Sequence, residues 1–169
     1  SKPSARTLKP GDKQHFQVSL KNAWQQHQRG QLAAAEREYA RLLAIDPGHP
    51  DALNLMGLLC IQAGRPDKAE SHILKALQTD PDNPQSHYNL GIACANRRRF
   101  GDAASHFGRA AKLQPGAAEP LSSQGNALRL AGKPEPAVTV LQAALRIDPR
   151  HEGARQNLGL ALNDWGAAL

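Results

Sequence analysis

Apolar and small residues in this chain fall into paired stripes with helical spacing, and the pairs recur. Between Pro50 and Asn83, Leu53, Met56, Gly57 and Cys60 follow an i, i+3, i+4, i+7 pattern. After a break at Gly64, a second stripe is made by Ala69, Ile73, Ala76 and Leu77. Both have the period of an amphipathic helix. Pro66 stands in the first turn of the second helix, where a missing N–H is tolerated, and Thr79, Asp80 and Pro81 end it because proline cannot continue a helix.

The same pattern returns every 34 residues: Pro47, Pro81, Pro115 and Pro149; Gly57, Gly91, Gly125 and Gly159; Ala35, Ala69, Ala103 and Ala137. A period in the range of about 20 to 50 residues marks an array, in which each unit is one supersecondary element that buries its apolar face only by stacking on neighbours. Glycine and alanine at the facing positions let paired helices approach closely. The first helix is expected to run from about Gln14 to Arg29, and the second, carrying Tyr39, Leu42 and Ile45, to stop at Asp46 and Pro47. Arg97, Arg98 and Arg99 occupy the inter-helix turn where the other units place Gly30, Gly64 and Gly132. That turn is expected to demand positive φ, so Arg98 is expected to carry strain. The three arginines read either as an anion contact beside a helix start or as a solvated turn.

A 34-residue helix-turn-helix with Leu/Met-Gly in the first helix, Ala, then Ile/Phe/Leu, then Ala in the second, and Asp-Pro at its end resembles the tetratricopeptide repeat. His87, Leu90, Gly91, Cys94, Ala103, Phe107, Ala110 and Pro115 fall on its signature positions. The resemblance implies an all-α, right-handed superhelical solenoid of antiparallel helix pairs. Four full repeats fit, at 16–49, 50–83, 84–117 and 118–151, followed by 152–169 as a partial fifth repeat or capping helix and preceded by a disordered basic tail at 1–15. Continuation of the natural chain past Leu169 is also expected.

The resemblance further implies that the first helix of each unit lines a concave wall. Its expected residues are Lys21, Trp24 and His27; Asp51, Asn54, Leu58 and Gln62; Gln85, Tyr88, Asn89 and Asn96; Glu119, Ser122, Ser123, Asn126 and Arg129; and Gln156, Asn157 and Asn163. Within that set, Lys21, Trp24, Asn54, Gln85, Tyr88, Asn89, Asn126, Arg129 and Asn157 form the expected peptide-binding groove. Amide side chains offer donors and an acceptor that can pair with an extended backbone without reading its sequence closely; the other reading is a solvated face. Asn89 and Asn157 resemble the asparagine ladder of O-linked N-acetylglucosamine transferases, interrupted by Leu55, Ser123 and Lys21. A dicarboxylate clamp would need convergent cations, and only Lys21 and Arg129 stand on this wall.

The formal charge is +6 with a sequence pI near 9.7. Residues 1–15 supply +3 of it through Lys2, Arg6, Lys9 and Lys13 against Asp12, leaving 17 basic and 14 acidic side chains spread over the repeats. A nucleic-acid footprint would cluster on one face, so nucleic acid is not an expected partner. No apolar run approaches the roughly 18 residues of a membrane span, and no membrane association is expected. Cys60 and Cys94 lie one repeat apart, a helix-packing layer of about 8–10 Å or more that exceeds the roughly 7 Å Cα limit of a disulfide. Reduced core thiols and a cytoplasmic location are the expectation.

Phosphate loops, nucleophile elbows and zinc-binding motifs are absent from the sequence. The chain is therefore expected to be non-enzymatic, without cofactor or metal. Its expected function is a protein–protein interaction scaffold that binds an extended peptide or a partner helix in its groove. Two alternatives stand beside that reading. One is a substrate-recruiting arm of a larger glycosyltransferase or sulfotransferase; the other is a homo-oligomeric module assembled through the apolar last helix, which carries Leu162 and Trp165.

Overall fold

A computed structural model describes residues 9–168. Lys2 and Arg6 of the expected tail lie outside the described residues. Within them every regular element is a helix: α1 (Pro10–Gln28), α2 (Leu32–Ile45), α3 (Pro50–Gln62), α4 (Pro66–Thr79), α5 (Pro84–Asn96), α6 (Phe100–Leu113), α7 (Ala118–Leu130), α8 (Pro134–Ile147) and α9 (Glu152–Ala168). The chain divides between Pro81 and Asp82 into two compact units. In the first, α1 packs on α2 and α3 on α4, with α2 joining the pairs; in the second, α5 pairs with α6 and α7 with α8, and α9 packs against both α7 and α8.

The first helix starts at Pro10, four residues before the expected Gln14, so residues 10–15 are helical rather than part of a tail. Phe16, Leu20 and Ala23 are buried and anchor the helix. Once they are placed, adding turns toward the N-terminus is cheap, and Asp12 in the first turn suits the positive end of the helix dipole.

Pairing within the α3–α4, α5–α6 and α7–α8 hairpins follows from a glycine facing a large apolar side chain. A Cβ at Gly57 would stand 2.5 Å from Ile73 Cγ1, one at Gly91 would stand 2.6 Å from the Phe107 ring, and one at Gly125 would collide with Leu141. Ile73 and Leu141 are fully buried and Phe107 is 5 % exposed; burying each such side chain contributes about 1.5–3 kcal/mol. Cys60 and Cys94 are buried free thiols.

Each inter-helix turn closes with the same two backbone bonds. Arg98 N–H reaches Ala95 O and Arg99 N–H reaches Cys94 O, both at 2.9 Å, just as Gly64 N–H reaches Ile61 O and Arg65 N–H reaches Cys60 O. This pairing needs a residue in the left-handed region. Gly30, Gly64 and Gly132 supply it at φ 76°, 69° and 75°, and Arg98 adopts it at φ 59°.

At the opposite ends, α3, α5 and α9 begin with a side-chain cap from positions in 34-residue register. His49 Nδ1 accepts from Ala52 N–H (3.3 Å), Asn83 Oδ1 from Ser86 N–H (2.9 Å) and His151 Nδ1 from Ala154 N–H (3.1 Å). Ala117 holds the corresponding place before α7 and makes no cap. The third helical residue there is Pro120, which has no N–H to offer.

Candidate functional site

In the second unit the first helices α5, α7 and α9 present a wall on which polar side chains are tied together across the repeat. Tyr88 O–H donates to Glu119 Oε1 at 3.0 Å, Ser123 Oγ lies 3.3 Å from that same oxygen, and His151 Nε2 donates to Glu119 Oε2 at 2.9 Å. One carboxylate thus links α5, α7 and the cap of α9. Because His151 Nδ1 accepts the Ala154 N–H, its proton sits on Nε2 and points at the carboxylate. Burial raises the pKa of Tyr88, with the Ser123 bond opposing, so the phenol stays neutral and keeps its proton for Glu119.

Further along the wall, Arg129 bridges α7 and α9. Its Nη1 donates to Asp164 Oδ2 at 3.1 Å and its Nη2 to Asn126 Oδ1 at 3.2 Å. Gln85 Nε2 donates to Asn89 Oδ1 at 3.1 Å. Asn89 is 1 % exposed and Ser122 4 %, so these two support the wall from beneath. Gln85, Glu119 and Asn163 are exposed, while Tyr88, Ser123, Asn126, Arg129 and Asn157 are half-buried. The accessible donors and acceptors of the wall therefore come from this second set.

The first unit carries its own wall on α1 and α3. Lys21 is exposed, Trp24 half-buried and Asn54 buried. His27, expected on this surface, is 3 % exposed and lies beneath it. Tyr39 O–H donates to His27 Nδ1 at 3.2 Å, and His27 Nε2 donates to the Gln62 carbonyl at 2.9 Å, while the Trp24 ring packs edge-on at 5.2 Å. Burial lowers the His27 pKa, against the opposing pull of the Gln62 bond.

Arg97 and Arg98 are exposed at the turn after α5. Arg99 turns inward: its Nη2 donates to Cys94 Sγ at 3.1 Å and its Nη1 lies 3.7 Å from Asp102. The three guanidinium groups do not share one arrangement. Among the described residues no group of three or more His, Cys, Asp and Glu side chains is placed to hold a metal ion, and no helix is long and apolar enough to cross a membrane.

His151 and Asp164 were not among the expected wall residues. His151 had a signal in the sequence, since it stands in register with His49 and Asn83 at a helix start. Asp164 had none.

Two tetratricopeptide repeat family models match the chain, one over residues 26–88 and the other over 62–118 and 88–152. The chain belongs to the tetratricopeptide repeat family. No curated protein sequence matches it. Solved structures share the fold: a MamA protein at 22 % identity and TM-score 0.80, covering 89 % of this chain and 82 % of that one, and YrrB, described as a TPR protein with an unusual peptide-binding site, at 18 % and 0.74, covering 86 % and 75 %. The Thermobaculum terrenum O-GlcNAc transferase matches at 24 % and 0.74, with 82 % of this chain covering 27 % of the enzyme. These likenesses give the tetratricopeptide fold.

Proposed function

We propose that the chain is a non-enzymatic scaffold and that the wall of α5, α7 and α9 holds an extended peptide of a partner protein. The observation that carries this reading is the fixed polar lattice of Tyr88, Glu119, Ser123 and His151, continued by Arg129, Asn126 and Asp164. Side chains already held by one another lose little freedom on binding, which lowers the cost of recognition. Packed helices lie about 8–10 Å apart, roughly the length of three residues of extended chain. That spacing applies to α7 and α9, which pack directly, while α5 is joined to α7 across the wall by the Tyr88–Glu119 bond, so a peptide crossing the three helices would meet a polar group from each. YrrB's described peptide-binding site, on the same fold, supports that ligand class.

Selection of peptides from a random displayed library against the chain tests it. Selected peptides are expected to lose about tenfold or more in affinity on Asn126→Ala with Glu119→Ala, a loss of the size expected for truncated interface hot spots. They should bind Arg98→Gly as they bind the wild type. Failure to select any peptide, or affinity indifferent to the wall variants, contradicts the reading.

A second reading has one observation in its favour: in the matched transferase the aligned array is a minor part of a larger enzyme. These residues would then recruit substrate for an attached catalytic domain. An endogenous protein close to the 18.2 kDa of these residues would rule that out.

A further inference from the structure

The lattice on the wall fixes a carboxylate and leaves part of it unused. A carboxylate offers about four acceptor sites. At Glu119, Tyr88 and Ser123 take two on Oε1 and His151 takes one on Oε2; among the described residues nothing takes the fourth. The Glu119 side chain is 61 % exposed, whereas that of His151, which steers it, is 17 % exposed. An anion held from three sides and open on the fourth is prepared for one further donor. A hydrogen bond to a charged group is roughly twice as strong as a neutral one, and a side chain already fixed gives up little freedom on binding. The cations of this unit do not offer the reverse arrangement. Arg129 on the wall has its side chain 20 % exposed and turned to Asp164. Exposed Arg98 and Lys133 stand in the turns after α5 and α7, at the opposite end of α7 from Glu119.

Toward that other end of the wall, Leu130 is 44 % exposed on the face of α7 that carries Glu119, Ser123 and Asn126. The equivalent position holds Gln28, Gln62, Asn96 and Asp164 in the other first helices, so an apolar side chain here is the exception. Asn126 lies between the two ends, about 10 Å along the helix from Glu119 and about 6 Å from Leu130. A strand crossing α7 at Asn126, with its pleat in the plane of the wall, points successive side chains in opposite directions, one toward Glu119 and the next toward Leu130. We infer that the peptide held on this wall carries a lysine or arginine that pairs with Glu119 and, at an odd spacing from it, a large aliphatic or aromatic side chain that covers Leu130. This rests on the wall being the peptide site, as proposed above. The pairing is local: charges are screened beyond about 8 Å at physiological ionic strength, so the formal +6 of the whole chain does not override it.

The test uses the whole chain and peptides selected against it from the random displayed library, resynthesised with fluorescein and read by fluorescence anisotropy. Selected sequences are expected to place Lys or Arg beside a large apolar residue, or at another odd spacing from it. Replacing that Lys or Arg by Gln should weaken binding about fivefold or more, between the worth of an exposed ion pair and that of a charged hydrogen bond. The change is in the peptide, so misfolding of the chain cannot mimic it. Glu119→Gln should weaken the parent peptide to the same level and leave the Gln peptide unaffected, the non-additivity of a direct contact. Glu119→Lys should prefer a peptide with Glu at that place. Leu130→Asn should weaken the parent and the Gln peptide alike. Suppose the selected peptides lose affinity on Asn126→Ala, yet bind as well with Gln for the basic residue, show additive effects with Glu119→Gln, or ignore Leu130→Asn; the inference is then overturned while the peptide site stands. If no selected peptide responds to Asn126→Ala, the site and the inference fall together.

Discussion

Arg98 holds a left-handed backbone conformation that costs an L-residue with a Cβ about 1–2 kcal/mol, and the turn's two hydrogen bonds keep it there. Arg98→Gly should remove that strain, partly offset by the greater unfolded-state freedom of glycine, for a net gain of about 1 kcal/mol. Urea denaturation should show a higher midpoint at unchanged slope; an equal or lower midpoint would place other stabilising contacts on the Arg98 side chain. His27 makes a prediction of the opposite kind. Its folded pKa is depressed, chiefly by burial among Tyr39, Gln62 and Trp24. The unfolded chain therefore binds a proton that the native state resists, so stability is complete above about pH 6.5 and declines below it, by at most about 1.4 kcal/mol per pH unit for one proton. Burial lowers the His72 pKa too, so His72→Gln is the necessary background. Thermal melts should lose stability on going from about pH 7.5 to 5, and His27→Gln should flatten that loss.

Glycines in register have opposite consequences among the helices. Gly91→Ala forces a Cβ against the Phe107 ring and should destabilise the α5–α6 pair by roughly 1–3 kcal/mol. Gly159→Ala on α9 meets nothing and should stabilise by up to about 1 kcal/mol through helix propensity alone. The two substitutions are the same change at equivalent sequence positions, so a pair of denaturation curves separates packing from propensity. At the helix starts, Asn83→Ala removes the cap of α5 and should cost about 1 kcal/mol, whereas Ala117→Asn should gain much less because Pro120 offers no donor at the usual partner position. Helices and turns of this kind were legible in the sequence, because each depends on residues within one 34-residue period. Arg98 could be foreseen in the strained turn from the glycines before and after it. The start of α1 could not, since its first turns are exposed and follow from the anchoring of Phe16 and Leu20 farther along.

At the scale of the molecule, the sequence located the wall's helices but not the state of its side chains. Asn89 fits an asparagine ladder by register and Asn54 is expected on the wall, yet both are buried, Asn89 holding Gln85. The Tyr88–Glu119 bond spans 31 residues, Arg129–Asp164 spans 35 and His27–Gln62 spans 35. Contacts across a full repeat depend on side-chain reach between neighbouring helices, which periodicity does not encode. The wall that emerges is a lattice of paired polar groups with Glu119, Asn126, Asn157 and Asn163 at its accessible edge. Amide chemical shifts of the isotope-labelled chain, recorded while a selected peptide is titrated in, test most directly whether that wall binds. Perturbations confined to α5, α7 and α9 around Tyr88, Asn126, Arg129 and Asn157 are expected; perturbations confined to the outer faces of α6 and α8, or to the Arg97–Arg99 turn, would contradict peptide binding on the wall.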